Sequence, residues 1–161
     1  MGYRSTKVFD GFSCCFRQWK AKTTHCQYLH GYGISFKVWF DGNLDHRNWV
    51  WDFGGMKRAK TLIDGMQPKA WMDYMFDHTV LVAEDDPQLP FLEMANDLPE
   101  YGDQNKALLR LRIVPATGAE KFAELIFHKL NNFVKTETND RVRVSQVEFM
   151  EHGKNSAIYS E

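Results

Sequence analysis

The stretch Thr24–Phe40, THCQYLHGYGISFKVWF, carries two patterns. Its second half alternates: Ile34, Phe36, Val38 and Phe40 fall on one side of an extended chain, and Ser35, Lys37 and Trp39 on the other. A period of two predicts a strand with one face in a core. The first half sets Cys26 four residues before His30, with His25 beside it. That half has three readings: a metal site, a nucleophile with its base, or the polar start of an ordinary strand. Asp41-Gly42-Asn43 closes the strand with a turn signal.

Upstream, residues 3–16 read as extended and residues 17–29 as a polar loop rich in Lys, Thr and Gln. Downstream, Asn48–Phe53 (NWVWDF) reads as a short strand, and Asp52 stands where a helix N-cap belongs. A helix of roughly three turns is expected to run on to Gly65, where Asp64-Gly65 and then Pro68 punctuate its end. Residues 69–78 form a short aromatic-rich segment. Thr79–Ala83 is strand-like, Glu84–Pro90 a loop, and Phe91–Leu98 one or two helical turns. A second loop, Tyr101–Lys106, leads to a strand within Leu108–Val114. Phe122, Leu125, Ile126 and Phe133 recur at helical spacing and predict a helix over about 118–134. Arg141–Met150 is a strand, and after a tight connection Ala157–Ser160 is a last short one. Strands grouped at both ends with helices inside predict an α+β fold with a largely antiparallel sheet.

The 161 residues are expected to form one domain, 1–161. A net charge of −1 leaves no electrostatic footprint for nucleic acid or an anionic membrane surface. No apolar run approaches the roughly 20 residues that span a bilayer. The first residues, MGYRSTKVFDGF, lack the apolar centre of a signal peptide, and the Met-Gly start is weak support for myristoylation. Three cysteines, two of them adjacent (Cys14 and Cys15, with Cys26), argue against a disulfide framework and for a reducing, cytoplasmic compartment.

Three short constellations carry chemistry. A zinc site asks for three or four ligands, usually announced by Cys-x-x-Cys or His-x-His, and here the sequence reads His30-Gly31-Tyr32. Residues two apart on a strand share a face, but tyrosine is a rare zinc ligand. Asp77-His78 pairs a carboxylate with an imidazole, an arrangement that supports proton transfer and that also occurs in ordinary loops. Glu151, with His152, closes the last long strand, where a carboxylate can accept paired N–H donors from a flat heterocycle. His46 and His128 read as surface residues, and the five tryptophans as packing or subunit contacts. Asp52-Phe53-Gly54-Gly55 is no kinase motif, because no Gly-rich loop or catalytic loop accompanies it.

Taken in order, Cys26-x-x-x-His30-Gly31, Asp52-Phe53-Gly54 with Lys57, Asp77-His78, and Glu151 with Tyr159 resemble the 6-pyruvoyl-tetrahydropterin synthase and 6-carboxy-tetrahydropterin synthase family. The resemblance spans nearly the whole chain. It implies the tunnelling fold, an antiparallel sheet with two helices packed on one face. It implies a homo-oligomer, trimers stacked into hexamers, with active sites at the subunit interfaces. The implied substrate is 7,8-dihydroneopterin triphosphate, and the implied activity is that of a lyase. By the same resemblance Glu151 grips the pterin ring, and Cys26 moves side-chain protons with help from Asp77 and His78. In the family three histidines hold a zinc ion, which makes a carbon-bound proton removable near neutral pH. The matching positions here are Phe16, His30 and Tyr32, so two of the three ligands are replaced. His25, with Cys14 and Cys15, is the candidate substitute. The Cys-x-x-x-His-Gly spacing resembles the 6-carboxy-tetrahydropterin branch, on the way to 7-deazaguanines. The alternative is a zinc-less pterin- or purine-binding protein of the same fold with altered or no lyase activity.

Overall fold

The alternating run forms the strand it predicts. In the computed structural model, which describes residues 2–96 and 108–161, the strands are β1 (Tyr3–Phe16), β2 (His30–Gly42), β3 (Thr79–Ala83), β4 (Leu111–Val114), β5 (Val142–His152) and β6 (Asn155–Ser160). The helices are α1 (Pro68–Phe76), α2 (Leu89–Asn96) and α3 (Ala119–Glu137). The strands make one sheet in the order β4-β3-β1-β2-β5-β6. β1–β2, β2–β5 and β5–β6 pair antiparallel. β1–β3 and β3–β4 pair parallel. The architecture is α+β, as expected, but the sheet is mixed. The connection through α1 carries the chain from β2 over β1 to β3, which runs opposite to β2, and the connection through α2 is a crossover that brings β4 back in the direction of β3.

One face of the sheet carries the core. Ile34, Phe36, Val38 and Phe40 of β2 are all buried there. Phe76 of α1 touches Phe36, Phe122 of α3 and Phe149 of β5 at ring-centroid distances of 6.1, 5.9 and 6.0 Å. Helices α1 and α3 therefore cover the same face, and α2 packs beside β4.

One-residue bulges interrupt three of the pairings, and the first two keep the apolar side chains on that face. In β1, Phe9 pairs with Phe36 and Phe12 with Ile34, so two residues, Asp10 and Gly11, oppose Ser35. Gly11 takes φ +82°, the left-handed conformation such a bulge asks of a glycine. In β5 the extra residue is Ser145, between the partners of Trp39 and Phe40. A third bulge lies between β5 and β6, where Met150 pairs with Ser156 and His152 with Asn155. Its extra residue is Glu151.

Several local expectations are corrected. No strand forms over Asn48–Phe53, and no long helix follows Asp52; a single 3-10 turn, Gly55–Lys57, stands in its place. Gly54-Gly55 weakens a helix by about 1 kcal/mol per glycine, and Asp52 spends its carboxylate on the Gly54 N–H (2.9 Å), closing a tight turn instead of a helix. The backbone here is satisfied by side chains: Arg141 donates to the carbonyls of Asn43, Trp49 and Val50, and Glu137 accepts from Lys60 N and Thr61 N. Asp64-Gly65, both at positive φ, is the tip of a tight turn bridging Ile63 and Met66. The aromatic-rich segment after it is helix α1, started by Pro68 in its first turn and burying Trp71, Met72 and Phe76. The strand expected within Leu108–Val114 is shorter, Leu111–Val114. The loop expected over Tyr101–Lys106 and the end of the turns expected to Leu98 lie outside the described residues.

Candidate functional site

The pairing of β1 with β2 brings the three ligand-position residues together. Phe16 pairs with His30 and Cys14 with Tyr32. Even-numbered residues point inward on both strands here, so these four form a square patch at one end of the core face. Phe16 is fully buried and stacks on Tyr32, with centroids 4.2 Å apart and planes within 12°. His30 leans on the other side of Tyr32 at 4.4 Å, and Phe122 meets Phe16 edge-on at 4.9 Å. His25 stands 6.3 Å from His30.

This arrangement does not fit a zinc ion. Phe16 offers no donor atom, and two rings in van der Waals contact leave no room for an ion that needs ligand atoms about 2.0–2.3 Å away. His30 donates its Nδ1–H to the Tyr28 carbonyl at 3.0 Å, which leaves Nε2 as its one free ring nitrogen. Burial, aided by its neighbour Cys15, pushes the Cys14 thiol up to about 12, so Cys14 stays protonated; burial raises Cys15 as well. Among the described residues, no three His, Cys, Asp or Glu side chains converge closely enough to hold a metal.

Cys26 sits in the 3-10 turn His25–Gln27, half-buried. Its backbone N–H is accepted by Thr24 Oγ1 at 3.2 Å, and its carbonyl accepts Gln18 N at 2.8 Å. Glu151 is also half-buried, on the bulge that re-aims it from the β5 ladder. Burial first, and then the negative charge of Glu151, push the Tyr32 phenol up to about 12. Cys26 on the turn just before β2, His30 and Tyr32 at the start of β2, and Glu151, which follows the Met150 that pairs with Ser35, lie at one end of the sheet.

Asp77 and His78 lie apart from these four residues. His78 Nδ1 is 3.0 Å from Asp77 Oδ1, and the His78 side chain is 75% exposed. Asp77 also accepts from Ser13 N at 3.2 Å, and His78 N donates to Ser13 O at 2.5 Å. His78 adopts φ +56°, uncommon for a residue with a side chain. The pair precedes β3, on the flank of β1 away from β2 and β5. Among the described residues, no hydrogen bond or ion pair joins it to Cys26. Tyr159, matched with Glu151 in the sequence, instead packs on Phe127 at 5.0 Å and donates to Glu161 at 2.6 Å. The Asp52-Phe53-Gly54 motif organises its own loop through Arg47 and Arg58.

Sequence reading missed the clamp that holds the Cys26 loop. Arg17 forks onto the buried Asp86 (Nε to Oδ2 2.8 Å, Nη2 to Oδ1 2.5 Å) and donates to the Gln27 carbonyl at 3.1 Å. Its own carbonyl accepts Thr117 Oγ1 at 2.6 Å, just before α3. Trp19 and Lys20 add contacts to Asp85. The Arg17 guanidinium holds the Asp86 carboxyl below the usual carboxylate range. The one signal was an Asp-Asp-Pro in a loop far along the chain.

Comparison with known proteins supplies the wider frame. An uncharacterized protein from Wolinella succinogenes superposes with a TM-score of 0.72 at 22% identity, over 99% of this chain and 98% of that one. The 6-pyruvoyl tetrahydropterin synthase of Caenorhabditis elegans gives 0.59 at 17% identity, over 99% and 95%. That of Plasmodium vivax gives 0.62 at 14%, over 99% and 98%. These likenesses show a shared fold. No curated protein is significantly similar in sequence. The family model for 6-pyruvoyl tetrahydropterin synthase matches residues 5–161, nearly the full sheet together with Cys26, His30, Tyr32 and Glu151. With that match added to the fold, the chain belongs to the 6-pyruvoyl tetrahydropterin synthase family, whose members are pterin-processing lyases.

Proposed function

We propose that the chain is a pterin lyase acting on 7,8-dihydroneopterin triphosphate, of the 6-carboxy-tetrahydropterin synthase type. The observation that carries this reading is the pairing of β2 with β5, which sets Glu151 at the same end of the sheet as Tyr32 and the Cys26 turn that precedes β2. Glu151 accepts no hydrogen bond from the described residues. Its carboxylate is free for the paired N–H donors of a pterin edge, a charge-assisted bidentate contact. Cys26, on a turn pinned at both its N–H and its carbonyl, is the group that takes or returns a proton on the substrate side chain. Asp77 orients His78 and supports its charge. Because this pair lies on the other flank of β1, it serves the site of a neighbouring copy. The outer strands β4 and β6 each have one edge unpaired among the described residues, where copies join into a trimer or hexamer. No described helix is long and apolar enough to cross a membrane.

The test is turnover of dihydroneopterin triphosphate with triphosphate release. Cys26→Ala should abolish turnover and leave pterin binding and the oligomer intact. Glu151→Ala should lose binding itself. Full activity in Cys26→Ala would remove the thiol from the mechanism. The Phe16–Tyr32 stack favours a second reading, a pterin- or purine-binding protein without lyase chemistry. Tight binding lost in Glu151→Ala, with no turnover by the unaltered chain, would establish it.

A further inference from the structure

Four inward positions at one end of β1 and β2 form the floor of the proposed site. Two of them, Phe16 and Tyr32, are in face-to-face contact at 4.2 Å, and Phe16 is wedged from behind by Phe122 of α3 at 4.9 Å. This is a packed corner of the core, held by ring contacts of a kind worth about 0.5–1.5 kcal/mol beyond their buried area. Admitting an ion would require Phe16 to leave a fully buried position. Tyr32 differs from its neighbours in one respect. Its ring is committed to Phe16 and His30, yet its hydroxyl has no hydrogen-bond partner among the described residues. Glu151, following the Met150 that pairs with Ser35, and Cys26, on the turn just before β2, stand at the same end of the sheet as Tyr32.

We propose that this site works without a metal, and that the Tyr32 hydroxyl donates a hydrogen bond to a side-chain oxygen of the bound pterin. The second half rests on the pterin reading above. A fixed neutral donor beside a polarising carbonyl or hydroxyl supplies part of the stabilisation that a Lewis acid gives, without a vacant coordination position. The rigid ring stack sets where the donor points, so little order is lost on binding.

Two measurements on the full chain test the two halves separately. In the first, metal-stripped protein is titrated with Co2+ and read by its visible absorption, with zinc content measured in parallel. The unaltered chain and His30→Ala should both take up less than about a tenth of an equivalent, whereas a tetrahedral site would take one. Phe16→His with Tyr32→His should gain the absorption of tetrahedral Co2+. One equivalent bound by the unaltered chain and lost in His30→Ala would overturn the metal-free site, whether or not the double variant folds. In the second, dihydroneopterin triphosphate binding is measured in chelator. Tyr32→Phe should weaken it about tenfold, the scale of one hydrogen bond to a buried partner, with no change in oligomer. Equal affinity in Tyr32→Phe would overturn the donor role. No binding by the unaltered chain would overturn the pterin reading and the donor role with it, while the cobalt titration still decides the metal half.

Discussion

Two of the parallel aromatic stacks on the core face lie near opposite ends of β2. At the far end Phe40 lies on Trp51, centroids 5.4 Å apart and planes within 10°, with Phe133 of α3 edge-on at 5.7 Å. At the near end Phe16 lies on Tyr32, with Phe122 of α3 edge-on. The construction is the same: one ring from the sheet, a second stacked on it, and a phenylalanine of α3 against the edge. What differs is the surroundings. The far stack is sealed, with Phe40 and Trp51 both buried and the loop above them tied down by Arg141. The near stack leaves Tyr32 half-open, at the end of the sheet that also carries Glu151 and a cysteine on a clamped turn. A functional corner can thus be built from the same packing unit as the rest of the core, with one ring carrying a hydroxyl and its lid left off.

That comparison is open to attack at three points. The largest expected effect on stability is at the sealed stack. Phe40→Ala should cost about 3–5 kcal/mol, the range for deleting a buried phenylalanine, read from the denaturation midpoint. A loss under 1 kcal/mol would mean that the far stack is not the structural one. Next comes the clamp beside the near stack. Asp86→Asn removes the carboxylate charge from a forked pair and should cost about 2 kcal/mol near neutral pH. The folded Asp86 carboxyl titrates below its ordinary value. Its contribution is therefore fully present above the ordinary carboxylate range and fades as pH falls through the lowered value. Stability curves of the variant and the unaltered chain should converge in acid, and a constant gap at all pH would refute the ion pair as the cause. The smallest effect should be Tyr32→Phe, within about 0.5 kcal/mol of the unaltered chain, because the hydroxyl has no internal partner. A large destabilisation there would make Tyr32 a structural residue like Phe40.

How much of this was legible in the sequence depended on range. The alternation of Ile34 to Phe40 declared β2 outright, because burial of one face imposes a period of two. The Phe122–Phe133 spacing declared α3 in the same way. Helix α1 was obscured because its apolar residues, Trp71, Met72 and Phe76, are aromatic or clustered and its start is a proline after a turn. Asp52 stands where a helix N-cap belongs, which predicts a helix, but the glycine pair Gly54-Gly55 right behind it disfavours one. In the site, Cys26, His30 and Glu151 were visible as an ordered set, and the structure sets His30 against Tyr32 with Cys26 on the turn before β2 and Glu151 near the end of β5. The Asp77–His78 pair was visible too, but its place on the opposite flank of β1 follows from the parallel β1–β3 pairing, which no local pattern announces. The Arg17–Asp86 clamp joins residues 69 apart, and nothing in either neighbourhood names the other.

The bulge at Gly11 makes β1 behave like a message read in two frames. Ahead of it odd-numbered residues face the core, and behind it even-numbered ones do, which is how Phe9 and Phe16 come to share a side. The left-handed backbone at Gly11 has open space around it but no tolerance for a branched side chain. Replacing Gly11 by Ile would strain the junction and favour a slip in which Ser13, Cys15 and Arg17 turn inward and the site everts. Deleting Gly11 altogether would remove the extra residue, leave Asp10 opposite Ser35, and keep Phe9, Phe12, Cys14 and Phe16 in phase. At this position losing a residue is gentler than changing one.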